Sequence, residues 1–222
     1  MRIHRTTPED IWNRATVARR VQRERHSDIH KTKGINWGKA RLRARAYFAK
    51  MRGMPATPGQ IYPLEVAWSF IGSLVGIALL SWCGTELFHD TNNTLLIGTF
   101  GASAMLLFGA PQSPFAQPRN VIGGHVVSAF IGISVLHLLG GTPHLTPALA
   151  VSGAIAAMHL TGTLHPPGGG TALLMVTGCP AVDQYGFFTV LFPVATGMST
   201  LVLVALFINN LARDRRYPAS WW

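Results

Sequence analysis

Ser113–His125 reads SPFAQPRNVIGGH, and Phe108-Gly109 stand shortly before it. This first motif (Phe108–His125) concentrates Pro, Gly, Gln, Asn, Arg and His between two apolar runs, each long enough to cross a bilayer. A second motif, Leu164–Gly170 (LHPPGGG), follows about 50 residues later. Polar and helix-breaking residues occur at membrane depth only where protein or a water-filled cavity surrounds them. The two motifs therefore predict an all-α polytopic membrane protein and mark its candidate site.

Charge and hydropathy divide the chain into two parts. Fifteen of its 19 Lys and Arg residues lie in residues 1–52, whereas the whole chain of 222 residues has a mean hydropathy of +0.26 and only 13% charged residues. A basic arm followed by an apolar body is typical of a membrane protein. We expect a cytoplasmic or interfacial arm at residues 1–60 and a transmembrane domain at residues 61–222.

The net charge of +10 would also suit a nucleic-acid-binding protein. However, the chain has no base-reading motif with interleaved aromatic residues, and its apolar body fits no such partner. We therefore expect no nucleic acid among its partners. The 23 Gly and 14 Pro residues are too many for a simple helical bundle, and their apolar surroundings do not fit a disordered chain.

Apolar residues recur at three- and four-residue spacing late in the arm: Trp37, Ala40, Ala44, Tyr47, Phe48 and Met51. Lys and Arg fill most of the positions between them. This pattern predicts a basic amphipathic helix that lies on anionic lipid headgroups. Packing of the same helix on the protein's own cytoplasmic face is an equal alternative.

The body contains five apolar runs of spanning length: Leu64–Trp82, Thr94–Ala110, Val121–Leu139, Pro147–Leu164 and Gly186–Ile208. A sixth stretch, Gly168–Val182, is shorter and rich in glycine. If it crosses, every outer loop is free of Lys and Arg, so the positive-inside rule favours six spans. We expect a bacterial inner (plasma) membrane protein with both termini in the cytoplasm.

A weak internal repeat relates the two motifs. A shift of 53 residues aligns Ala104-Met105 with Ala157-Met158, and Pro114 with Pro167. Each copy would form a hairpin of a descending helix, a turn and an ascending helix, and the two turns would meet from the same side. Gly- and Pro-interrupted segments at corresponding places in two halves are the best sequence pointer to a transporter's binding site.

Several segments carry a resemblance to a known family: FGAPQSPFAQPRNVIGGH (Phe108–His125), LHPPGGGTALL (Leu164–Leu174), Phe207–Leu211 and Tyr217-Pro218 with Trp221. On these residues the chain resembles the HPP family of integral membrane proteins, named for the His-Pro-Pro seen here at 165–167. The resemblance covers about residues 60–222. It implies a small-anion transporter, since characterised relatives in plastids and cyanobacteria are associated with nitrite transport. Family descriptions commonly give four spans, whereas the charge pattern here favours six.

Arg119 is the only Lys or Arg between residues 53 and 212. An ionisable residue near membrane depth is a functional-site hypothesis by default. Its planar guanidinium suits a carboxylate-like oxyanion such as nitrite. The alternative is a surface anchor that sets topology or pairs with a carboxylate.

Two groups of residues are expected to open helices at the motifs: Asn120, Gly123 and Gly124 in the third span, and Gly168, Gly169, Gly170 and Thr171 in the fifth. Helix N-termini offer unpaired N–H groups and partial positive charge, so two that converge could bind an anion. Glycine also allows the backbone to approach a ligand closely. Close helix packing is the alternative role for each glycine.

Histidines and neutral donors complete the candidate binding site. His165 precedes two prolines and is expected to be extended, with its ring free to donate to an anion or carry a coupled proton. His125 lies about one turn into the next helix. Ser113 and Gln117 add neutral hydrogen-bond donors.

No pair of histidines in the apolar body has the helical spacing of three or four that a metal site would favour, so we expect neither a metal nor a cofactor. Aromatic residues near the span ends are expected to form an interfacial belt: Trp68, Trp82, Tyr217, Trp221 and Trp222.

The favoured function is a transporter or channel for a small anion, with nitrite as the first choice of substrate. A non-transporting membrane subunit or sensor, which recruits a partner through the basic arm, is the alternative. An enzyme is not expected, because Glu65, Glu86, Asp90 and Asp183 lie at span ends or in loops, and no group orients Ser113 with His165. Spans rich in small residues favour a homo-oligomer.

Overall fold

The computed structural model describes residues 37–51, 62–87 and 98–221. The chain consists of two compact units, which divide between Gly59 and Gln60. The arm helix belongs to the first unit, and the described residues from Tyr62 onward belong to the second. Helix α1 spans Trp37–Lys50, where the sequence predicts the amphipathic helix. Its Leu42, Tyr47 and Phe48 side chains are exposed. The rest of the arm, including the Pro- and Gly-rich stretch at 55–59, lies outside the described residues.

The body is built from helices, and its described residues contain no strand. The helices are α2 (Pro63–Trp82), α3 (Gly98–Ala104), α4 (Pro118–Leu139), α5 (Leu145–Thr161), α6 (Pro166–Thr177), α7 (Pro180–Tyr185) and α8 (Thr196–Leu211). Wider turns extend α2 over Cys83–Leu87 and α3 over Met105–Gly109. A tight turn at Pro114–Ala116 precedes α4, and a tight turn followed by a wide one joins α7 to α8.

Three described segments are long and apolar enough to cross a membrane: Pro63–Glu86, Pro118–Leu139 and Pro180–Leu211. The last of them is broken at Phe192, whose φ of −132° and ψ of 120° are not helical. Two further helices, Gly98–Gly109 and Leu145–Thr161, are apolar but shorter. The predicted start of the second span, at Thr94, lies outside the described residues.

The short glycine-rich span predicted at Gly168–Val182 is not one continuous helix. Helix α6 ends at Thr177, Gly178 has a φ of +116°, and α7 starts at Pro180. Twelve helical residues extend for about 18 Å, against about 30 Å of bilayer hydrocarbon. The six-span topology therefore stays a prediction, beside three segments of full spanning length.

Helices α4, α5 and α6 pack against one another, and α8 packs against both α2 and α4. The main core lies among α2, α3, α4 and α8 and includes Phe100, Phe108 and Leu201. Glycine brings α4 and α6 together: a Cβ on Gly132 would stand 2.8 Å from the Ala172 carbonyl oxygen. Small residues at such crossings are the usual means of close helix packing in membranes.

Both halves of the proposed repeat have the order helix, turn, helix. The ascending helices differ in length, however, because α4 has 22 residues and α6 has 12. A symmetric repeat is therefore not established by the fold. What the fold provides is the side-by-side placement of the two turns.

Candidate functional site

The second motif follows a sharp helix end. Helix α5 stops at Gly162, whose φ of +63° is the left-handed conformation that glycine adopts without strain. His165 is then extended, with φ −139° and ψ 108°, and Pro166 begins α6. The residue before a proline avoids the helical region, whereas proline itself suits the first helical position. The extended backbone predicted for His165 is confirmed, and its ring is fully buried.

The first motif forms a compact turn before α4. Ser113 caps the short turn, because its Oγ accepts a hydrogen bond from the Phe115 N–H at 3.3 Å. Gln117 donates from Nε2 to the carbonyl oxygens of Pro111 (3.1 Å) and Ser113 (2.7 Å). Pro118 then opens α4. Ser113 and Gln117 thus hold the backbone of this turn.

Side chains at the start of α4 join the two motifs. Arg119 is exposed and donates from Nη2 to the Thr161 carbonyl oxygen at 2.8 Å. Asn120 donates from Nδ2 to the Leu164 carbonyl oxygen at 2.9 Å. Both acceptors lie at the end of α5 or just after it. The meeting of the two turns, which the sequence predicts, is therefore present, and Arg119 lies at its surface.

The glycines at these helix starts face neighbouring protein. A Cβ on Gly124 would stand 2.6 Å from His165 Cβ and 2.8 Å from the Thr163 carbonyl oxygen. A Cβ on Gly168 would stand 2.8 Å from Ser128 Oγ. Thr163 likewise covers Gly123, and Thr99 covers Gly170. These positions match the packing alternative.

Gly169 differs from its neighbours. The nearest group to a Cβ there is Val151 Cγ1 at 3.9 Å, which is ordinary contact distance. It is therefore the glycine of the second motif with the most room around it.

Two histidines meet deep between the motifs. Ser103 Oγ lies 2.7 Å from His125 Nε2 and 2.9 Å from His165 Nε2. On the far side of each ring, His125 Nδ1 lies 2.7 Å from Thr171 Oγ1, and His165 Nδ1 lies 2.7 Å from the Phe115 carbonyl oxygen. We call Ser103, His125, His165 and Thr171 the histidine cluster. Of the predicted site residues, His125, His165 and Thr171 are brought together here, whereas Arg119 is not among them.

All four side chains of the histidine cluster have 0% exposure. The two rings are 5.0 Å apart between centroids, and Phe100 packs edge-on against His125 at 5.8 Å. Each ring nitrogen and hydroxyl oxygen of the cluster lies within hydrogen-bond distance of another polar atom, as buried polar groups usually do. The cluster is thus a closed polar network within an apolar surrounding.

Sequence reasoning missed Ser103, because it lies in a run of small and apolar residues that reads as an ordinary helix. From the sequence, Ser113 is the serine considered beside His165, but Ser113 caps a turn, and Ser103 is the serine that contacts both rings. Neither of the two grooves found along α2 is lined by the histidine cluster.

A second buried polar network was also missed. Arg215 is 7% exposed, and its Nη2 lies 2.6 Å from Glu65 Oε2, at the start of α2. Its Nη1 donates at 3.0 Å to both the Phe108 carbonyl oxygen and Asn209 Oδ1, and Nη2 also donates to Ser69 Oγ. Charge counting used Arg215 only as a marker of the inner side. In the structure, the Arg215 side chain forms buried hydrogen bonds that join α2, the end of α3 and α8.

Residues 212–221, here called the tail segment, lie against the first motif. Gln117 Oε1 accepts hydrogen bonds from the N–H groups of Ala219 (2.8 Å) and Ser220 (3.2 Å). Tyr217 donates from its hydroxyl to the Ala116 carbonyl oxygen at 2.8 Å. Gln112 donates from Nε2 to the Arg216 carbonyl oxygen at 2.6 Å. The tail segment therefore completes the turn that Ser113 and Gln117 begin.

The interfacial role predicted for Tyr217 is wrong. Its side chain is 2% exposed, and burial raises the pKa of its phenol. Its N–H donates to Asn210 Oδ1 at 3.0 Å, which fixes the backbone beside α8. Trp82 and Trp221 are exposed and Trp68 is half-buried, whereas Trp222 lies outside the described residues.

No group of three or more His, Cys, Asp or Glu side chains placed to hold a metal ion occurs in the part of the chain that the structure describes. Cys83 and Cys179 are both free thiols.

Comparison with known proteins identifies the family. Two transmembrane proteins of Dictyostelium discoideum are similar to this chain, one 43% identical over 179 residues and the other 42% identical over 163. The matches cover 79% and 71% of this chain but only 57% and 56% of the relatives, so the chain spans little more than half of their length. No solved structure matches it. The model of the HPP transmembrane region matches residues 58–218, and the chain therefore belongs to the HPP family of membrane proteins.

Proposed function

We propose that this protein transports a small anion across a membrane, through the region where its two motifs meet. The observation that carries the proposal is the histidine cluster, which joins both motifs at full burial between apolar helices. Ionisable side chains inside membrane segments are expensive to keep and mark substrate pathways or proton relays. Helices interrupted at corresponding turns are the usual builders of transporter sites.

The proposed substrate is a nitrite-like oxyanion, and this choice rests on the family resemblance. Arg119 supports it chemically, because the exposed guanidinium stands at the surface where the two turns meet. Its fork of donors matches a planar oxyanion. In this proposal Arg119 meets the anion at the mouth of the pathway, while the histidine cluster lies further along it.

Further parts of the proposal concern the cell. We place the protein in a bacterial inner membrane with both termini in the cytoplasm, on the charge pattern of the loops. The two similar proteins come from Dictyostelium, a eukaryote, and therefore do not support the bacterial part of this proposal. We propose a homo-oligomer with no enzymatic activity. Of α2's most apolar stretch only 17% is buried, which leaves it a wide apolar face for lipid or a second copy.

The test is uptake of nitrite, nitrate, formate and bicarbonate by liposomes that contain the purified protein. An Arg119→Ala variant is compared with Arg213→Ala, which also removes one exposed charge but lies outside both motifs. Uptake of one anion that falls at least tenfold only in Arg119→Ala would support transport through the region at Arg119, and nitrite as that anion would support the proposed substrate. Equal uptake in both variants would keep transport and leave Arg119 as a cap on the end of α5. No uptake of any anion by folded protein would refute transport.

The second candidate is a membrane subunit that recruits a partner through its arm. Helix α1 favours it, since Leu42, Tyr47 and Phe48 are exposed on a helix that also carries five basic residues. Exposed aromatic and basic side chains on one helix suit anionic lipid headgroups as well. Deletion of residues 1–52 separates the candidates: a self-contained transporter keeps its flux, whereas an adaptor loses its activity.

A further inference from the structure

We infer that the histidine cluster is a binding site for one proton, shared between His125 and His165 through the hydroxyl of Ser103. The inference comes from a count of hydrogens in the network. It concerns proton binding alone, so it stands whether or not an anion is transported.

The outer nitrogen of His165 must carry a hydrogen, and that of His125 carries one as long as Thr171 donates to Thr99. His165 Nδ1 faces the Phe115 carbonyl oxygen at 2.7 Å, and a carbonyl oxygen can only accept. His125 Nδ1 faces Thr171 Oγ1 at 2.7 Å, and that hydroxyl donates its own hydrogen to Thr99 Oγ1 at 3.0 Å. Thr171 is thus left to accept from the ring. Both Nδ1 atoms are therefore donors.

The inner nitrogens are then short of a hydrogen. In a neutral imidazole only one nitrogen carries a hydrogen, so each Nε2 is a bare acceptor. Both Nε2 atoms contact Ser103 Oγ, at 2.7 and 2.9 Å. Ser103 has a single hydrogen, and the Thr99 carbonyl oxygen at 3.1 Å competes for it. With both rings neutral and Thr171 donating to Thr99, one buried nitrogen has no donor.

One added proton removes this shortage. If it binds either Nε2, that ring donates to Ser103 Oγ, and the Ser103 hydroxyl donates to the Nε2 of the other ring. Every contact between the rings and the serine then has one hydrogen. A buried acceptor without a donor costs about 1–3 kcal/mol, and this cost favours uptake of the proton.

The same geometry lets the proton pass between the rings. The N–H bond of one imidazolium breaks as an O–H bond forms on Ser103 Oγ, and the original Ser103 hydrogen moves to Nε2 of the other ring. The number of protons is unchanged, and the positive charge moves from one ring to the other. Because His125 belongs to α4 and His165 to the start of α6, the charge moves from one motif to the other.

The elements around the histidine cluster offer no other charged side chain that bonds to either ring among the described residues. Helices α3, α6 and α8 contain no Asp, Glu, Lys or Arg, and neither do the turns at 114–116 and 186–195. On α4, Arg119 and His137 are exposed, and on α5 His159 is exposed. The Glu65–Arg215 pair bonds to Phe108, Ser69 and Asn209. The proton would therefore be held by the hydrogen-bond geometry and not by a carboxylate.

Two other features of the histidine cluster favour release of the bound proton. Full burial disfavours a charged ring, and the N-terminal end of α6 adds a partial positive charge beside His165. The shortage of a donor acts in the opposite direction. A site balanced in this way can be loaded and unloaded, as a relay requires.

The experiment is a pH titration of the full chain in lipid vesicles, followed by solid-state NMR of ¹⁵N-labelled histidine. His125→Gln and His165→Gln variants assign the two rings among the nine histidines. Between about pH 9 and pH 4 we expect the Nε2 signals of both rings to move together. Each should reach about half of the full neutral-to-charged change, because one proton is shared between them.

Ser103→Ala is the decisive variant. Without the hydroxyl, the rings should titrate separately, and the first proton should bind at least tenfold more weakly. Ser128→Ala is the matched control, since Ser128 is equally buried but bonds to Met158 Sδ and not to a histidine. Both variants are first shown to unfold at a temperature similar to the parent protein.

Two results would overturn the inference. Either both rings stay neutral across the whole titration, or they titrate independently in the parent protein just as they do in Ser103→Ala. A coupled half-change that Ser128→Ala keeps and Ser103→Ala loses supports it. Neither readout depends on anion flux, so failure of the transport proposal would be recognised separately.

Discussion

At the scale of single residues, Arg215 shows how much one side chain can hold. Its side chain is buried, and its guanidinium bonds to groups on α2, at the end of α3 and on α8. Its carboxylate partner, Glu65, is 47% exposed. The stabilising value of this network thus lies in the buried hydrogen bonds more than in the ion pair.

Arg215→Ala should therefore lower the free energy of unfolding by about 2–4 kcal/mol, since buried acceptors lose a charged donor. Glu65→Gln should cost about 1 kcal/mol or less, because a half-exposed ion pair is screened by solvent. Unfolding in detergent micelles measures both, with the exposed Arg213→Ala as the control. Equal losses for Arg215→Ala and Glu65→Gln would contradict this account.

The buried phenol of Tyr217 predicts how the stability of the protein changes at high pH. Burial raises the pKa of its phenol above the ordinary value of 10.0, so the folded protein keeps this proton where the unfolded chain loses it. The unfolded state then binds fewer protons, and stability falls as the pH rises above about 10. Tyr217→Phe should remove this part of the fall. Thermal unfolding at pH 9 and at pH 11 tests it: the loss between the two should be smaller in the variant.

At the scale of elements, the glycines explain how α4 reaches both α6 and the second motif. Gly132 lies against the Ala172 carbonyl oxygen, and Gly124 lies against Thr163 and His165. Backbone carbonyls and Cβ atoms cannot rotate away from an added methyl group. The distance between these helices is therefore set by the glycines, which have no side chain at the points of contact.

Gly132→Ala should destabilise the fold by about 1–3 kcal/mol, because overpacking forces α4 away from α6. Gly101→Ala is its counterpart, with nothing within 4 Å of the new Cβ on α3. The latter should be neutral or stabilising by up to about 1 kcal/mol, since alanine is the better helix former. The free energies of unfolding of the two variants in detergent micelles test this prediction. Equal effects would mean that α4 and α6 are not tightly packed at Gly132.

At the scale of the whole molecule, the sequence predicted the main parts but not their mutual contacts. The two motifs and the extended His165 follow from local rules on proline and glycine. The helices that follow begin at Pro118 and Pro166, two residues before the predicted openings at Asn120 and Gly168. Ser103 could not be found in this way. It lies 22 residues from His125 and 62 from His165, and its own neighbours are small or apolar.

Charge counting had a similar limit. The positive-inside rule assigns Arg215 to a side of the membrane and says nothing about its burial. Only the packing of α2 against α8 shows that it serves the interior. The number of spans also stays a prediction, because hydropathy and charge do not show that the helix breaks between Thr177 and Pro180.

The contact between the tail segment and the first motif also governs the order in which the protein can mature. Gln117 Oε1 accepts hydrogen bonds from the N–H groups of Ala219 and Ser220, more than 100 residues later in the chain. The Phe108 carbonyl oxygen accepts from Ser69 and also from Arg215, 107 residues later. Helices α2 to α4 must therefore enter the membrane with an incomplete turn between them. A chain whose synthesis or insertion stops before α8 would leave the first motif without the hydrogen bonds that the tail segment supplies.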